Sequence, residues 1–493
     1  MNIILAGYNL DYEIIKTIGS PSQDDKALTP ETISAAYARI SRNPSPVTEL
    51  RDIARKEVEK ARDSNRSIVF GMGHSSIAEH AVFNIDVLDV SRLLVEEIEK
   101  FRLCSYTEKS QRYVLLKDDF VIPEEIRQAG VEKPFIKTIK EQNRFYHDLY
   151  SILKPYVFKK NSAMATDPAN HRILDGWAKE DARYIISLAT ETQLGMTLNA
   201  RNLELILRRC AAHPLAEVRE YSEKLYRATK DIAPSLIRYI KPTEFDLMTR
   251  PELKSMVTEL IGKRGGEAEK GRNTEENTVI LSYSTPDADD RTIASLIHSS
   301  SNIPLEECMT IASSMEREEK EEIIKTACRY MKSYDAALRE FENVDLLFEL
   351  TISATCFAQL KRHRIATITC QDYDPTLGIT IPPAISETGM ESRFRDVISW
   401  TEETYDQINK VAPTAAAYIL TNAHRKRVAI KINARELYHI ARLRVDRDAQ
   451  WDIRETAKKM LTLSREAMPH TLMLATGKDG FTSLYDQCFG DRK

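Results

Sequence analysis

The sequence predicts an α+β fold made of two homologous halves that pair as an intramolecular pseudo-dimer. Three observations carry this reading. Asn199-Ala200-Arg201-Asn202-Leu203 recurs as Asn433-Ala434-Arg435-Glu436-Leu437. Upstream of each copy a basic segment leads into a polar loop. In the first half it runs from Lys100-Phe101-Arg102 to Ser110-Gln111-Arg112-Tyr113, and in the second from Arg362-His363-Arg364 to Asp372-Tyr373-Asp374. Each half also lacks polar residues that the other keeps. That pattern is expected when a homo-oligomer becomes one tandem chain and needs only one of two equivalent sites.

The elements follow in chain order. Met1-Asn2-Ile3-Ile4-Leu5-Ala6-Gly7 reads as a first strand; it has neither the length nor the basic start of a signal peptide, and no GxGxxG follows it. The half-buried stretch Ala81–Val87 reads as a strand, followed by a helix from Ser91 to Ile98 that feeds the basic segment. The repeat copy at 199–210 reads as a helix. Next, Lys263-Arg264-Gly265-Gly266-Glu267-Ala268-Glu269-Lys270-Gly271-Arg272-Asn273 places glycines among charges without apolar periodicity, which is linker chemistry. The boundaries are therefore a first half at 1–245, a linker at 246–277 and a second half at 278–493. Val279–Ser284 restarts as a strand, Leu346–Leu350 as another and Ala354–Leu360 as a helix. In the last repeat helix Asn433, Leu437, Ile440 and Arg444 share one face. Ninety-seven residues separate Arg102 from Asn199, but only 69 separate Arg364 from Asn433, so the halves differ by about a helix pair. A period above 200 residues means domain duplication, not a solenoid.

Composition narrows the class. A chain of 493 residues with 29% charged and 42% hydrophobic residues has room for two or three ordinary globular cores. A net charge of -4 argues against a polyanion-binding surface, and so against a nucleic acid polymer as partner. No apolar run reaches the roughly 18 residues of a membrane span. Seven scattered cysteines without CxxC spacing suit reduced thiols and a cytoplasmic location. His74 and His80 do not suit one helix face and have no cysteine cluster nearby, so no metal site is expected. The run Glu316–Glu322 is a solvated charged face.

The chemistry-bearing residues are Gln359 through Thr367 with its Arg362-His363-Arg364, Ser105 through Tyr113, and Gly73-His74-Ser75-Ser76-Ile77-Ala78-Glu79-His80. Together these resemble the flavin-dependent thymidylate synthase family, whose signature is Arg-His-Arg, seven residues, then Ser. Arg102 and Ser110 keep that gap, although Lys100-Phe101 replaces the preceding Arg-His. The resemblance covers the centre of both halves and the Asn-x-Arg helices; 114–180 adds little.

In that family the nucleotide lies between subunits. The resemblance implies that one partner supplies Gln359, Arg362 and Arg444, with Arg444 as the catalytic electrostatic group. The other partner supplies Glu108, Ser110, Gln111, Arg112 and Arg183. The opposite combination fails throughout: Glu97, Lys100 and Cys210 replace the first set, and Cys370, Asp372, Asp374 and Ala417 replace the second. Arg209 lies one residue from the position Cys210 takes, so either residue is a candidate for it. The flavin contacts implied are His74, Ser76, Glu79, Arg362, His363, Arg364, Asn199, Arg201, Asn433, Arg435 and His439. The second half has Ala337 at the place of His74, keeping only Phe341-Glu342 of that segment, and Thr107 replaces the family's Asn beside the loop Glu.

Physical reasoning supports this partition. A phosphate needs clustered donors, which Ser110, Arg112 and Arg183 provide, whereas Asp372 and Asp374 would repel it. Arg444 would stabilise negative charge on a uracil ring. The resemblance thus implies C5-methylation of a uridine monophosphate, most simply dUMP to dTMP. FAD would be the cofactor, with methylenetetrahydrofolate and NADPH as co-substrates. Two such chains would associate as a homodimer of pseudo-dimers, because the family is tetrameric. The alternatives are a non-catalytic nucleotide- or flavin-binding sensor or scaffold, and a flavoenzyme acting on a different pyrimidine nucleotide.

Overall fold

Each half builds the same four-stranded antiparallel sheet. A computed structural model describes residues 1–19, 25–263 and 277–490. In the first half β1 (Asn2–Tyr8), β2 (Val82–Ser91), β3 (Ser105–Glu108) and β4 (Glu191–Asn199) lie in the order β1-β2-β4-β3. In the second, β5 (Thr278–Ser284), β6 (Asp345–Ser353), β7 (Thr367–Cys370) and β8 (Arg425–Asn433) repeat it as β5-β6-β8-β7. The copies agree in detail. The first strand of each slips register at the same place, between Leu5 and Gly7 and between Leu281 and Tyr283. Asn199 pairs with Val82, and Asn433 pairs with Asp345. The copies differ at Asp89, which takes a left-handed φ of 56° in a bulge between Val87 and Val90; the β6–β8 ladder has no such interruption.

The helices used below are α1 (Arg92–Ile98), α2 (Glu132–Lys160), α3 (His171–Ala182), α4 (Ala200–Ala211), α5 (Ala216–Thr229) and α6 (Glu244–Lys263) in the first half. The second half has α7 (Ala354–Leu360), α8 (Glu391–Asn409), α9 (Ala434–Arg444), α10 (Trp451–Ala467) and α11 (Lys478–Phe489). The strands expected at the start of each half and before each basic segment are present. β4 and β8 lie outside the expected elements, although Leu194, Met196 and Leu198 in one and Val428, Ile430 and Ile432 in the other are buried alternately. The helix-pair difference is located too. The first half spends its extra residues on the 29-residue α2 and on α3, where the second has the 19-residue α8 and the 3₁₀ turn Pro413–Ile419.

Strand ends become helix starts through capping side chains. Ser91 Oγ accepts from Leu94 N at 2.9 Å and donates to the buried Glu217 of α5 at 2.6 Å. Ser353 Oγ likewise accepts from Cys356 N at 2.9 Å and donates to Asp452 of α10 at 2.6 Å. Each cap contributes about 1 kcal/mol, and the buried carboxylate ties the following helix to the sheet.

The chain forms two compact units. The first is Met1–Ala268 with Ser392–Leu420, and the second is Glu269–Glu391 with Thr421–Lys493. The units thus depart from the consecutive halves in one segment, which carries most of α8. In the first unit α8 packs on α2 through a buried polar seam. Thr138 and Thr404 hydroxyls meet at 2.8 Å, and Gln142 Nε2 donates to Thr401 Oγ1 at 2.9 Å and to Ile419 O at 3.0 Å. The expected linker also needs correction. Residues 244–263 form α6, because the apolar spacing from Leu253 to Ile261 is helical and the glycine cluster starts only at Gly265. The remainder, 264–276, lies outside the described residues. Among the described residues no helix is long and apolar enough to cross a membrane.

Candidate active site

The first unit gathers three guanidiniums and two carboxylates. Glu108, at the end of β3, is ion-paired with Arg92, the first residue of α1, and accepts from Thr192 Oγ1 at 3.3 Å. Arg112 donates through Nε to Glu180 of α3, and Arg112 N donates to Ser110 Oγ at 3.2 Å. Arg183, one residue beyond α3, is only 7% exposed. Burial lowers its pKa, with the charges of Arg112 and Arg92 acting the same way and that of Glu180 opposing. Gln111 is buried beside them. Glu108, Ser110, Gln111, Arg112 and Arg183 thus all lie in the first unit. The structure adds Arg92 and Glu180, which the sequence reading misses. Glu180 carried a signal: it lies three residues before Arg183, one turn away on the same helix face.

The second unit gathers the other set around Arg444, the last residue of α9. Its Nε donates to His363 Nε2 at 3.1 Å and its Nη2 to Gln359 O at 3.2 Å. Gln359 Nε2 in turn donates to Gln450 Oε1 at 3.2 Å. His363 Nδ1 lies 3.3 Å from Glu436 Oε1, and its ring meets that of His439 edge-on at 5.6 Å. An imidazole whose Nε2 accepts from arginine must carry its proton on Nδ1, facing Glu436. Burial, then the charge of Arg444, holds the His363 pKa below the usual 6.5, against the opposing pull of Glu436. A neutral His363 thus holds the Arg444 side chain. Arg362 is half-buried and Arg364 exposed.

Of the flavin residues expected from the resemblance, Asn433, Arg435 and His439 line one cavity and His74 and Ser76 another, whereas Glu79, Arg362, His363, Arg364, Asn199 and Arg201 line neither. The first cavity, of about 480 Å³, lies within the second unit and is lined by Asn433, Arg435, His439, Arg442, Ile365 and Phe481 among others. Its volume is in the usual range for small-molecule sites. One wall depends on Gly477, where a Cβ would sit 2.7 Å from Asp446 N, so only glycine lets α11 begin there. Asn433 caps α9 by accepting from Glu436 N at 2.8 Å; Asn199 caps α4 from Asn202 N at 2.9 Å. Arg435 donates to Glu342 Oε1 at 2.6 Å and to Ala337 O at 2.7 Å. Arg201 makes the equivalent bond to Glu79 at 2.5 Å. The other cavity, in the first unit, is shallow and lined by His74, Ser76, Tyr37 and Arg42. His74 is exposed there.

The replaced residues of the first unit close on one another. Lys100 pairs with Glu97 at 2.5 Å, and His213 Nε2 lies 3.4 Å from the same carboxylate. Burial disfavours the Glu97 charge, yet His213 and Lys100 outweigh it and bring its pKa down to about 2. Cys210 is buried, and that burial, with the nearby charge of Glu97, pushes its thiol up to about 12. Arg209 instead turns to Asp246 at 3.0 Å and stacks on Phe245. Cys210, not Arg209, therefore takes the inward position. Asp374 caps a 3₁₀ turn by accepting from Thr376 N at 2.9 Å. Because the folded pKa of Glu97 lies below its ordinary 4.5, the pair stabilises the fold above that pH. That stability, about 3 kcal/mol, is lost as pH falls from about 4.5 toward 2. Acid unfolding of Glu97→Gln, followed by circular dichroism, is expected to show a flatter dependence in that window. An unchanged slope would assign the acid sensitivity to other carboxylates.

The same four-stranded sheet occurs in each half, each unit holds its own arginine-containing set, and sequence comparison gives the chain a family. The model described as thymidylate synthase complementing protein, Thy1, matches residues 25–235 and again 279–470. The chain belongs to this family, with one match in each half. A flavin-dependent thymidylate synthase of Clostridium tetani is 29% identical over 218 residues, spanning 43% of this chain and 83% of that one. Other relatives match most of the chain. A UPF0159 protein of Chlamydia muridarum is 26% identical over 438 residues, covering 82% of this chain and 78% of the relative. A UPF0159 protein of Thermoplasma acidophilum is 23% identical over 473 residues, covering 88% and 93%.

Proposed function

We propose that the protein is a FAD-dependent methyltransferase converting dUMP to dTMP, with methylenetetrahydrofolate as carbon donor and NADPH as reductant. The observation that carries this reading is the division of residues between the units. Arg444 is held ready by His363 and the Gln359 carbonyl, whereas its counterpart Cys210 is a buried thiol beside a closed Glu97–Lys100 pair. On this reading the two halves act as a pseudo-dimer, and the retained sets serve one nucleotide per chain. Ser110, Arg112 and Arg183 bind the phosphate. Gln359 and Arg362 position the base. Arg444 stabilises negative charge on the ring as C5 becomes nucleophilic, a preorganised role because His363 fixes its guanidinium in advance.

The cavity of the second unit fits a dinucleotide cofactor. Arg442 and Lys478 suit a pyrophosphate, and Ile365 and Phe481 offer apolar walls to a flat ring. Asn433, Arg435 and His439, which line this cavity, would hold the cofactor from this unit, and His74, Ser76, Glu79, Asn199 and Arg201 are the first-unit candidates. When bound, the flavin supplies the redox chemistry of the transfer, which the chain's side chains do not provide. The residues' own part is binding, orientation and electrostatics.

A second reading keeps the pocket as a sensor or scaffold. It is favoured by Glu108 and Arg112, whose charges are already matched by Arg92 and Glu180. The visible absorption spectrum, with and without added FAD and then titrated with dUMP, separates the readings. Bound flavin responding at one dUMP per chain, followed by dTMP formation, supports the enzyme. Flavin and nucleotide binding without product supports the sensor, and no binding of either rejects both. A companion test is Asp374→Arg, which should not raise the stoichiometry or the turnover, because Lys100 and Cys210 remain in place. Loss of its cap should cost about 1 kcal/mol of stability. Doubled turnover per chain would contradict the assignment of the replaced set.

A further inference from the structure

Glu436 stands in the first turn of α9, where its backbone N–H donates to Asn433 Oδ1 at 2.8 Å. Its side chain is only 6% exposed and lines the cavity of the second unit. The carboxylate places Oε1 3.3 Å from His363 Nδ1, and neither atom finds another hydrogen-bond partner among the described residues. On the other edge of the same imidazole, Nε2 accepts from Arg444 Nε at 3.1 Å. A carboxylate, an imidazole and a guanidinium thus form a chain from the cavity wall to Arg444. The first half shows that the fold does not need this chain. Asn202 takes the place of Glu436, Phe101 that of His363 and Cys210 that of Arg444. Asn202 Nδ2 turns back to Asn199 Oδ1 at 2.9 Å, and α4 forms with the same asparagine cap as α9. All three members are kept in one half and all three are replaced in the other. A carboxylate kept only for the positive end of its helix would serve α4 as well as α9.

We infer that Glu436 is a positioning residue for Arg444, which rests on the charge-stabilising role proposed above for that arginine. The carboxylate accepts the Nδ1–H of His363 and so selects the tautomer whose Nε2 carries a lone pair. That lone pair is what the Arg444 Nε–H binds. With the proton on Nε2, two donors would face each other, and Gln359 O alone would hold the guanidinium through Nη2. His439 does not take over this task. Its Nδ1 is 3.0 Å from Arg442 Nη2, and it meets His363 ring against ring. Burial and the Arg444 charge keep His363 neutral, so the side chain that selects its tautomer also decides whether Arg444 is held. Glu436 touches neither the arginine nor the reacting ring in this role; it acts through His363.

Glu436→Asn tests this on the full-length protein, because the first half folds with asparagine at the same place. Nitrogen NMR of histidine-labelled protein at neutral pH reads the tautomer directly. Wild-type His363 is expected to carry its proton on Nδ1, and the variant to move it toward Nε2. At saturating FAD and folate, kcat for dUMP should fall about 10- to 100-fold, the usual loss when a reacting group is misplaced by an ångström or less. KM for dUMP should change little, because the Arg444 contact matters most as charge develops on the ring. In an Arg444→Ala background the same substitution should cause no further loss, since the arginine it positions is gone. A wild-type His363 protonated on Nε2 would overturn the proposal, as would a variant with the wild-type tautomer. Losses from Glu436→Asn and Arg444→Ala that multiply would also overturn it, because Glu436 would then act on the cofactor or the fold and not through Arg444. The expected tautomer change in a protein that never turns over dUMP would support the positioning and reject the proposed reaction.

Discussion

Replacing Arg444 with alanine is expected to lower turnover of dUMP by about 10²- to 10³-fold, the usual loss when one preorganised charge-stabilising donor is removed. The chain should still fold. His363 Nε2 loses its donor in a buried site, which costs about 1–2 kcal/mol. A second readout does not depend on activity. The Arg444 charge helps to depress the His363 pKa, so its removal should raise that pKa, observable by NMR of the imidazole. Arg444→Lys restores charge without the fork that reaches both His363 Nε2 and Gln359 O, and should rescue only part of the rate. Full activity in Arg444→Ala would remove this residue from the mechanism. An unmoved His363 pKa would contradict the contact itself.

Arg112→Ala is expected to weaken dUMP binding by roughly 10- to 100-fold, the loss of a charge-assisted bond to phosphate. Its diagnostic is selectivity. Calorimetric titration should show wild type preferring dUMP strongly over deoxyuridine and the variant losing most of that preference. The variant also leaves the carboxylate of Glu180, 5% exposed, without its partner, at a cost of about 2 kcal/mol. Arg112→Lys should recover much of the stability and only part of the selectivity, because a lysine is a point charge and not a fork. If Arg112→Ala keeps the preference for dUMP, the phosphate is bound elsewhere and Arg112 serves only its pair with Glu180.

Several of these contacts were legible because helix capping and helical spacing leave local marks in a sequence. Asn199 and Asn433, read first as one half of a repeat, prove to be the helix caps at which each central strand turns into a helix. The spacing from Asn433 to Arg444 set that arginine on nearly the same side of α9 as Asn433, because eleven residues return a helix almost to its starting direction, and there it meets His363. Other partners were not legible, because nothing local in the sequence marks them. Arg92 is sixteen residues from Glu108, and Glu180 is 68 from Arg112. Ion pairs at such distances depend on which strands become neighbours. His363 was expected to face a flavin, and the structure holds it between Arg444 and Glu436, a contact set by the packing of α9 against the end of α7.

The sequence by itself determined the recurrence of the Asn-Ala-Arg motif, the first two strands and the repeat helix of each half, since these rest on periodicity, capping chemistry and repeated motifs within short stretches. Tertiary structure decided what long-range packing controls. It placed 392–420 in the first compact unit, turned the start of the expected linker into a helix, and chose Cys210 over Arg209 for the inward position. It also matched Glu108 and Arg112 to buried partners of opposite charge. Burial raises the cost of an unpaired charge, so those partners are selected by the assembled sheet and helices and not by their neighbours in the chain.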